Sequence, residues 1–322
     1  MTIQRVRALV SEDFDAVNNL ILDKIQAQSG LIDDLANHIV QSGGKRLRPL
    51  IVLLASHACH YKGVHHISLA AMVEFFHTAT LLHDDVIDES TLRRGRETAN
   101  EIWGSKASIL VGDYLFTQYM QLMIDVGDLK IMQLLTDMAN QIGCGELKQL
   151  SNRHNHALTL SDYFDVIQSK TSLLFAASAS LGALVGKSCD EMEKGLYDYG
   201  LHLGNAFQLI DDSLDYCSDS KTLGKNVGDD LADGKATLPL IHALKHGTPA
   251  QQLKIKESLE QGTLEFLPEV MIAIAETNAI EYTRGIAEVE VTKAIAALKV
   301  LPDSVYKEAL ADIARYAVRR SH

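Results

Sequence analysis

Two clusters of carboxylates, at residues 84–88 and 211–215, are the groups in this sequence best suited to chemistry. Each cluster has aspartates at positions i, i+1 and i+4, and each follows an apolar helical pattern. On a helix, residues four apart share a face, so Asp84 would lie beside Asp88, and the second cluster repeats this arrangement. Like charges at this spacing repel, and the C-terminal end of a helix disfavours anions. The pattern therefore predicts a bound cation, and carboxylate oxygens suit Mg²⁺, which commonly bridges to phosphates.

Basic residues accompany these clusters, as binding of a diphosphate would require. Lys45 and Arg48 follow two glycines and fall on one side of the next turn, and Arg93 and Arg94 follow the first cluster. The planar fork of arginine matches phosphate oxygens. Any one of these cations alone is explained as a solvated surface charge. Their joint occurrence with the aspartates indicates an anionic, metal-bound substrate.

Three more lysines lie near the remaining motifs. Lys170 lies in the middle of a predicted helix and precedes Thr171, whereas Lys225 and Lys235 flank acidic residues in a polar stretch at residues 218–236. This stretch is too long and too polar for a core segment, and loops of such length are usually functional or disordered. It is predicted to close over the site as a lid.

The elements that must hold these groups are helices. Apolar residues repeat at intervals of three and four over residues 13–28, 50–60, 68–88, 105–126, 129–150, 161–184 and 191–216, and shorter helices are predicted from residue 239 onward. No stretch shows the sustained alternation of a strand, and no repeat or linker is evident. The sequence predicts an all-α helical bundle in which residues 1–322 form a single domain.

Composition narrows the functional class. The formal net charge of −12 argues against nucleic-acid binding through a broad basic field. The four cysteines form no CxxC pair, which favours a reducing cytoplasmic setting. The first residues do not resemble a signal peptide, and the longest uncharged run, residues 171–186, is too short to span a membrane.

In this order, the motifs resemble those of the trans-prenyltransferase family of polyprenyl diphosphate synthases, especially its long-chain branch. The match covers residues 43–49, 77–95, 170–171, 204–216 and 224–239 and spans about two-thirds of the chain. The resemblance implies a helical fold around a deep central cavity, a homodimer, and two or three Mg²⁺ ions per active site. It implies an enzyme that adds isopentenyl diphosphate units to a short allylic diphosphate such as farnesyl diphosphate.

The resemblance also implies roles for individual residues. The metal ligands would be Asp84, Asp88, Asp211 and Asp215. The allylic diphosphate would be held by Arg93, Lys170, Thr171, Gln208, Lys225 and Lys235, and isopentenyl diphosphate by Lys45, Arg48, His77 and Arg94. The catalytic set would be Asp84, Asp85, Asp88, Arg93, Lys170, Asp211, Asp212 and Lys225. From the pattern alone, His77 is better explained as a hydrogen-bonded core histidine, and Gln208 is a similar case.

Product length depends on what lies below the first cluster. Thr80 and Ala79 lie four and five residues before Asp84, about 6–7.5 Å down the helix, and both are small. Short-chain relatives place an aromatic residue at this point, so a longer tunnel and a product of about eight units are predicted. Phe76, a turn deeper, would stop the chain early if it enters the tunnel. If it packs sideways, Met123 would form the floor.

Several alternatives remain at this level. A shorter-chain synthase, making geranylgeranyl or farnesyl diphosphate, differs only in the tunnel. A class I terpene cyclase would share the aspartates but would not need Lys45, Arg48 and Arg94. A regulatory subunit usually lacks one intact motif, whereas a simple cation binder leaves the arginines unexplained. The product is predicted to serve a respiratory quinone, with transient membrane contact during its release.

Overall fold

The computed structural model describes residues 2–25, 30, 45–93, 95–217 and 227–320. The helices are α1 Ile3–Ala8, α2 Ser11–Ile25, α3 Leu47–Ala58, α4 His65–Ile87, α5 Ala99–Trp103, α6 Ser105–Val126, α7 Leu129–Ser151, α8 Leu160–Ile167, α9 Leu173–Val185 and α10 Asp190–Leu214. They continue with α11 Asp229–Ala232, α12 Leu238–His246, α13 Pro249–Gln261, α14 Leu267–Glu276, α15 Ala279–Ala297 and α16 Val305–Val318. The all-α prediction is confirmed.

The strands in the described part of the chain form one small hairpin, which the sequence pattern did not predict. Strand β1 (Leu92–Arg93) pairs antiparallel with β2 (Arg96–Glu97), with Arg93 opposite Arg96. Gly95 has a φ of +74° in the turn, a conformation that glycine adopts without a steric penalty. The hairpin directly follows the first aspartate cluster and fixes where Arg93 points.

The chain divides into two compact units. The first comprises Met1–Met138, Leu174–Gly200 and Ile295–Ile313. Its core includes α3, which is buried on almost every side, as expected for a helix that is apolar all round. Helix α4 packs extensively against α6 and also contacts α2 and α3. Gly182 allows α9 to approach α3 closely, because an added Cβ would lie 2.4 Å from the Ala55 Cβ.

The second unit comprises Ala139–Leu173, Leu201–Ala294 and Ala314–His322. One of its buried clusters joins Tyr216, Leu231 and Leu240 to apolar residues of α13 and α14. The N-terminus of α8 is fixed by a capping box between Thr159 and Asp162. The single domain over residues 1–322 stays a prediction.

The helix predicted over residues 161–184 is not continuous. Helix α8 ends at Ile167, a π-helical turn spans Gln168–Ser172, and α9 then begins at Leu173. Periodicity alone does not reveal this π turn, because residues 173–185 are all apolar or small, so their pattern does not define a helical phase. Such turns frequently mark functional sites, and this one contains Lys170 and Thr171.

Candidate active site

The first aspartate motif lies at the C-terminal end of α4, in the first unit. Asp85 is buried, with 4% of its surface exposed, whereas Asp84 and Asp88 are half-buried. Arg93 holds Asp85 through a fork: its Nε lies 2.9 Å from Oδ1 and 3.1 Å from Oδ2, and its Nη2 lies 2.7 Å from Oδ1. The motif therefore has an anchored inner carboxylate and two outer ones closer to solvent.

Tight packing of α4 against α6 holds the same turn from behind. The ring Nε2 of His83 lies 3.2 Å from the carbonyl oxygen of Ile109. A Cβ added at Gly112 would lie 2.3 Å from this nitrogen. The glycine in α6 thus provides the space for His83, and the His83 ring ties the start of the motif to the neighbouring helix.

Arg48 and His77 lie together, as their shared predicted role requires. The Arg48 Nη1 is 3.1 Å from the His77 Nε2, and the guanidinium also stacks on the Phe175 ring at 4.2 Å. Arginine can only donate hydrogen bonds, so the His77 Nε2 must accept, which makes this imidazole the neutral tautomer with its proton on Nδ1. His77 lies seven residues before Asp84, so both project from one face of α4.

The four residues predicted to set product length lie on α4 and α6. Phe76, Ala79 and Met123 are buried, and Thr80 is half-buried. Phe76 packs towards α6, with its ring centroid 5.3 Å from that of Tyr119 and 6.0 Å from that of Phe116. The Thr80 hydroxyl donates to the His77 carbonyl of its own helix at 2.8 Å, so this polar group is satisfied internally.

The second aspartate motif lies at the C-terminal end of α10, in the second unit. Asp212 is buried and accepts hydrogen bonds from the Tyr163 hydroxyl at 2.6 Å and from the Gln208 Nε2 at 2.7 Å. The Thr171 hydroxyl donates to the Gln208 Oε1 at 2.8 Å. Burial, together with the negative charge of Asp230, raises the pKa of Asp212 well above the usual range of a carboxyl group.

The outer aspartates of this motif have different partners. Asp211 is half-exposed, and its Oδ1 accepts from the buried Arg320 Nη2 at 2.8 Å. Arg320 also stacks on the Phe207 ring at 3.7 Å. The Asp215 Oδ2 accepts from the backbone N–H of Asp230 at 3.2 Å, which joins the motif to the start of α11.

Lys170 and Lys235, two of the predicted lysines, form ion pairs within the second unit. Lys170 projects from the π turn, and its Nζ is 3.0 Å from the Glu146 Oε2 and 2.9 Å from the Gln149 Oε1. The Lys235 Nζ lies 2.8 Å from the Asp233 Oδ2. Both amines are therefore oriented by carboxylates of their own unit.

Arg94 and Lys225 lie outside the described residues, as do residues 218–226 of the predicted lid. Lys45 is exposed, just before α3 begins. Residues 229–232, also within the predicted lid, form the short helix α11 rather than loop.

Sequence reasoning missed two residues that hold the second motif. Tyr163 lies seven residues before Lys170, which would place both on one face of the predicted helix. That spacing could have indicated a role for Tyr163. Arg320, near the far end of the chain, gave none, because only the fold brings it to Asp211.

A buried polar network supports the π turn. The Ser172 hydroxyl donates to the Asn205 Oδ1 at 2.7 Å, and the Asn205 Nδ2 donates to the Glu290 Oε2 at 2.8 Å. The same Glu290 oxygen lies 2.7 Å from the His202 Nδ1. Burial alone would raise the pKa of Glu290, but hydrogen bonds from His202, Lys293 and Asn205 outweigh it and lower the pKa to about 2.

These features agree with comparisons to known proteins. A family model described as polyprenyl synthetase matches residues 29–271. The chain is 48% identical over 321 residues to octaprenyl diphosphate synthase from Escherichia coli, covering 99% of both chains. It is 44% identical over 323 residues to octaprenyl diphosphate synthase from Haemophilus influenzae, covering 100% of this chain and 98% of that one.

A solved structure gives the same result. A polyprenyl synthase from Caulobacter crescentus, complexed with calcium and isoprenyl diphosphate, superimposes with a TM-score of 0.95 at 40% identity. The alignment covers 100% of this chain and 98% of that one. This chain belongs to the polyprenyl synthetase family. The predictions of a prenyltransferase and of a long-chain all-trans polyprenyl synthase are confirmed.

Proposed function

We propose that this protein condenses isopentenyl diphosphate with a short allylic diphosphate such as farnesyl diphosphate, and that its main product is octaprenyl diphosphate. The observation that carries the proposal is the common organisation of the two aspartate motifs. Each has a buried inner aspartate fixed by neighbouring side chains and outer aspartates that are only half-buried. Full-length similarity to octaprenyl diphosphate synthases supports the choice of product.

Asp84, Asp88, Asp211 and Asp215 would hold the Mg²⁺ ions, two or three per active site. Their oxygens suit this hard cation, and the inner aspartates are already committed to Arg93, Tyr163 and Gln208. When bound, Mg²⁺ supplies Lewis-acid stabilisation of the charge on the departing diphosphate. Asp85 and Asp212 orient the outer ligands in this scheme and would not bind metal themselves.

The cations would divide between two substrates. Arg93 uses its Nε and Nη2 for Asp85, so its Nη1 would donate to the allylic diphosphate. The same diphosphate would be bound by Lys170, Thr171, Gln208, Lys225 and Lys235. Lys45, Arg48, His77 and Arg94 would bind isopentenyl diphosphate. The 3.1 Å contact of Arg48 with His77 supports a shared role for these two residues.

No side-chain nucleophile is required by the reaction. The allylic C–O bond breaks and its electron pair leaves with the diphosphate. The double bond of isopentenyl diphosphate then forms the new C–C bond. Loss of a proton, for which the released diphosphate is the proposed base, restores an allylic diphosphate that is five carbons longer. Cations preorganised around the diphosphate stabilise the charge as it develops.

Elongation assays with labelled isopentenyl diphosphate and chromatography of the products test this proposal. Incorporation by the purified chain alone, with an eight-unit main product, is expected. Failure to incorporate label would favour a cyclase or a regulatory subunit, and a fifteen-carbon main product would refute an open tunnel. The prediction that the product supplies a respiratory quinone, with cytoplasmic synthesis and membrane contact on release, requires cell-based tests. Among the described residues, no helix is long and apolar enough to cross a membrane.

The tunnel is proposed to pass Ala79 and Thr80. Packing of Phe76 against Tyr119 supports the sideways arrangement, in which Met123 forms the floor. Ala79→Tyr should therefore shorten the main product by several units, whereas Met123→Ala should lengthen it. Ala294→Tyr, at a buried alanine of the second unit, controls for general disturbance of the core. Unchanged product length in Ala79→Tyr would show that this residue does not line the tunnel.

The homodimer is proposed on an exposed apolar face of α6. Leu110 is 67% exposed and Ile124 is 66% exposed, and Met120 lies on the same helix between them. Apolar groups in such a row usually mark an interface. The double variant Leu110→Glu/Ile124→Glu should sediment as a monomer, whereas Leu253→Glu, at an exposed site on α13, should not. A wild-type protein that sediments as a monomer would refute the dimer.

A further inference from the structure

Two histidines and an aspartate meet in the first unit, at the opposite end of α4 from the first aspartate motif. Asp13 lies in the first turn of α2, His57 in the last turn of α3, and His66 in the first turn of α4. The carboxylate oxygen and the two ring nitrogens that these residues offer all lie within 4.8 Å of one another. Three helices thus place three ligand atoms around one point.

The hydrogen bonding of this cluster is incomplete. The His57 Nε2 lies 2.6 Å from the Asp13 Oδ2, a normal hydrogen bond. The His66 Nε2 lies 3.3 Å from the same oxygen, but without hydrogen-bond geometry. His66 is only 7% exposed, and within the described residues neither of its ring nitrogens makes a hydrogen bond. A buried polar atom left in this state normally costs about 1–3 kcal/mol, so it requires an explanation.

We propose that Asp13, His57 and His66 form a second metal site, for a divalent transition metal of which Zn²⁺ is the representative. Two imidazoles and one carboxylate are a ligand set typical of zinc with one open position. Mg²⁺, in contrast, prefers oxygen ligands alone. The donor atoms therefore distinguish this site chemically from the two aspartate motifs.

The distances fit such a metal. Ligands bound at about 2.0–2.1 Å in a tetrahedron lie roughly 3.3 Å apart. The separation of the His66 Nε2 from the Asp13 Oδ2 is already 3.3 Å. The pair formed by His57 and Asp13 must open by about 0.7 Å, and both side chains are partly exposed, at 24% and 27%. This exposure also gives the metal a route from solvent and leaves room for water at the fourth position.

Surrounding rings hold the ligands in place. The His57 ring stacks on Tyr306 of α16, with centroids 4.8 Å apart. Tyr61 packs edge-on to the His66 ring at 5.6 Å. A bound metal would join α2, α3 and the N-terminal end of α4, and α4 carries the first aspartate motif at its other end. The site would therefore stabilise the helix on which catalysis is proposed to depend.

Zinc titration of the full chain in excess MgCl₂ tests the proposal, because Mg²⁺ occupies oxygen-only sites. Wild type should bind one Zn²⁺ per chain, with a rise in Tm of a few degrees at saturating metal. His57→Gln and Asp13→Asn should each lower the zinc affinity tenfold or more and remove most of the Tm rise. His65→Gln, at an exposed histidine adjacent to the site, should behave as wild type.

Substitution with Co²⁺ gives a second readout, because visible ligand-field bands report on nitrogen ligands. These bands should appear in wild type and His65→Gln and be absent from His57→Gln. Circular dichroism and prenyltransferase activity in Mg²⁺ alone confirm that each variant is folded. Equal zinc affinity in wild type, His57→Gln and Asp13→Asn, or no zinc binding by wild type, would overturn the site.

Discussion

The inner aspartates of the two motifs are both buried, but their partners differ in charge. Asp85 of the first motif receives the guanidinium fork of Arg93, whereas Asp212 of the second accepts from the neutral groups of Tyr163 and Gln208. A cation compensates a buried carboxylate directly, and neutral donors do so only in part. The pKa of Asp212 is accordingly raised, first by burial and then by Asp230. The same sequence spacing therefore supports two electrostatic designs.

This difference has consequences for metal binding. In the first motif, the buried inner carboxylate is already paired with a cation before any metal arrives. In the second, the acidic residues Asp211, Asp212 and Asp230 lie together, and Arg320 is bonded only to the first of the three in the described structure. A divalent cation would therefore change the electrostatics of the second motif more than those of the first.

The largest expected effect concerns the outer aspartates, which the two motifs share. Asp84→Ala and Asp211→Ala should each lower kcat by about 10²–10³-fold, because each removes a proposed ligand of the charge-stabilising metal. Asp137→Ala, at an exposed side chain of α7, serves as the control. Activity within tenfold of wild type in either variant would remove that motif from the proposed metal site.

Asparagine substitution of the inner aspartates tests whether a charged partner and neutral partners stabilise them differently. In EDTA, Asp85→Asn should destabilise the fold by about 2–3 kcal/mol, because it leaves Arg93 without its carboxylate. The expected loss is smaller than for a fully buried ion pair, because the Arg93 side chain is 33% exposed and solvent screens its charge. Asp212→Asn should change stability by less than about 1 kcal/mol, because the raised pKa of Asp212 means that the fold disfavours its charge, and removing that charge offsets the hydrogen bond that the amide loses. Urea denaturation measures both, and equal losses would contradict the proposed difference.

The Glu290 network behind the second motif predicts a pH dependence. The folded pKa is about 2, against an ordinary value of 4.5, so the charged carboxylate stabilises the folded state above pH 4.5. Glu290→Gln should therefore lower the free energy of unfolding by roughly 2 kcal/mol at pH 7. This is less than the pKa shift alone implies, because Lys293 is half-exposed and solvent screens its interaction with Glu290. The loss should shrink as the pH falls from 4.5 towards 2. A mutational effect independent of pH, in urea unfolding at pH 7 and pH 3, would argue against a charged Glu290.

The smallest effects concern the glycine behind each motif. A Cβ at Gly204 would lie 2.4 Å from the Ser172 Cα, which is backbone of the π turn, whereas at Gly112 it would meet the end of the His83 side chain. Backbone yields less than a side chain, so overpacking of about 1–3 kcal/mol applies to Gly204→Ala. The higher helix propensity of alanine stabilises each variant by about 1 kcal/mol. We expect a net loss near 1 kcal/mol for Gly204→Ala and little change for Gly112→Ala. Thermal unfolding that ranks the two in the opposite order would contradict this reasoning.

The sequence determined the fold class and the place of both motifs. Period-3.6 patterns predict α4 and α10 to within a few residues, and the i, i+1, i+4 spacing follows from helical geometry. Both are local properties, because helical hydrogen bonds and side-chain directions depend on residues three or four apart. The same reasoning could not detect the π turn at Lys170, since the uniformly apolar or small residues that follow it do not define a helical phase.

Which partner each aspartate has depends on the three-dimensional packing of the helices. Nothing in the sequence links Arg320 to Asp211, or distinguishes the charged partner of Asp85 from the neutral partners of Asp212. The same holds for Asp13, His57 and His66, which three helices bring together from separate parts of the chain. The physical reason is that pairing across helices depends on how whole helices pack, and helix packing is set by many buried side chains at once rather than by local spacing.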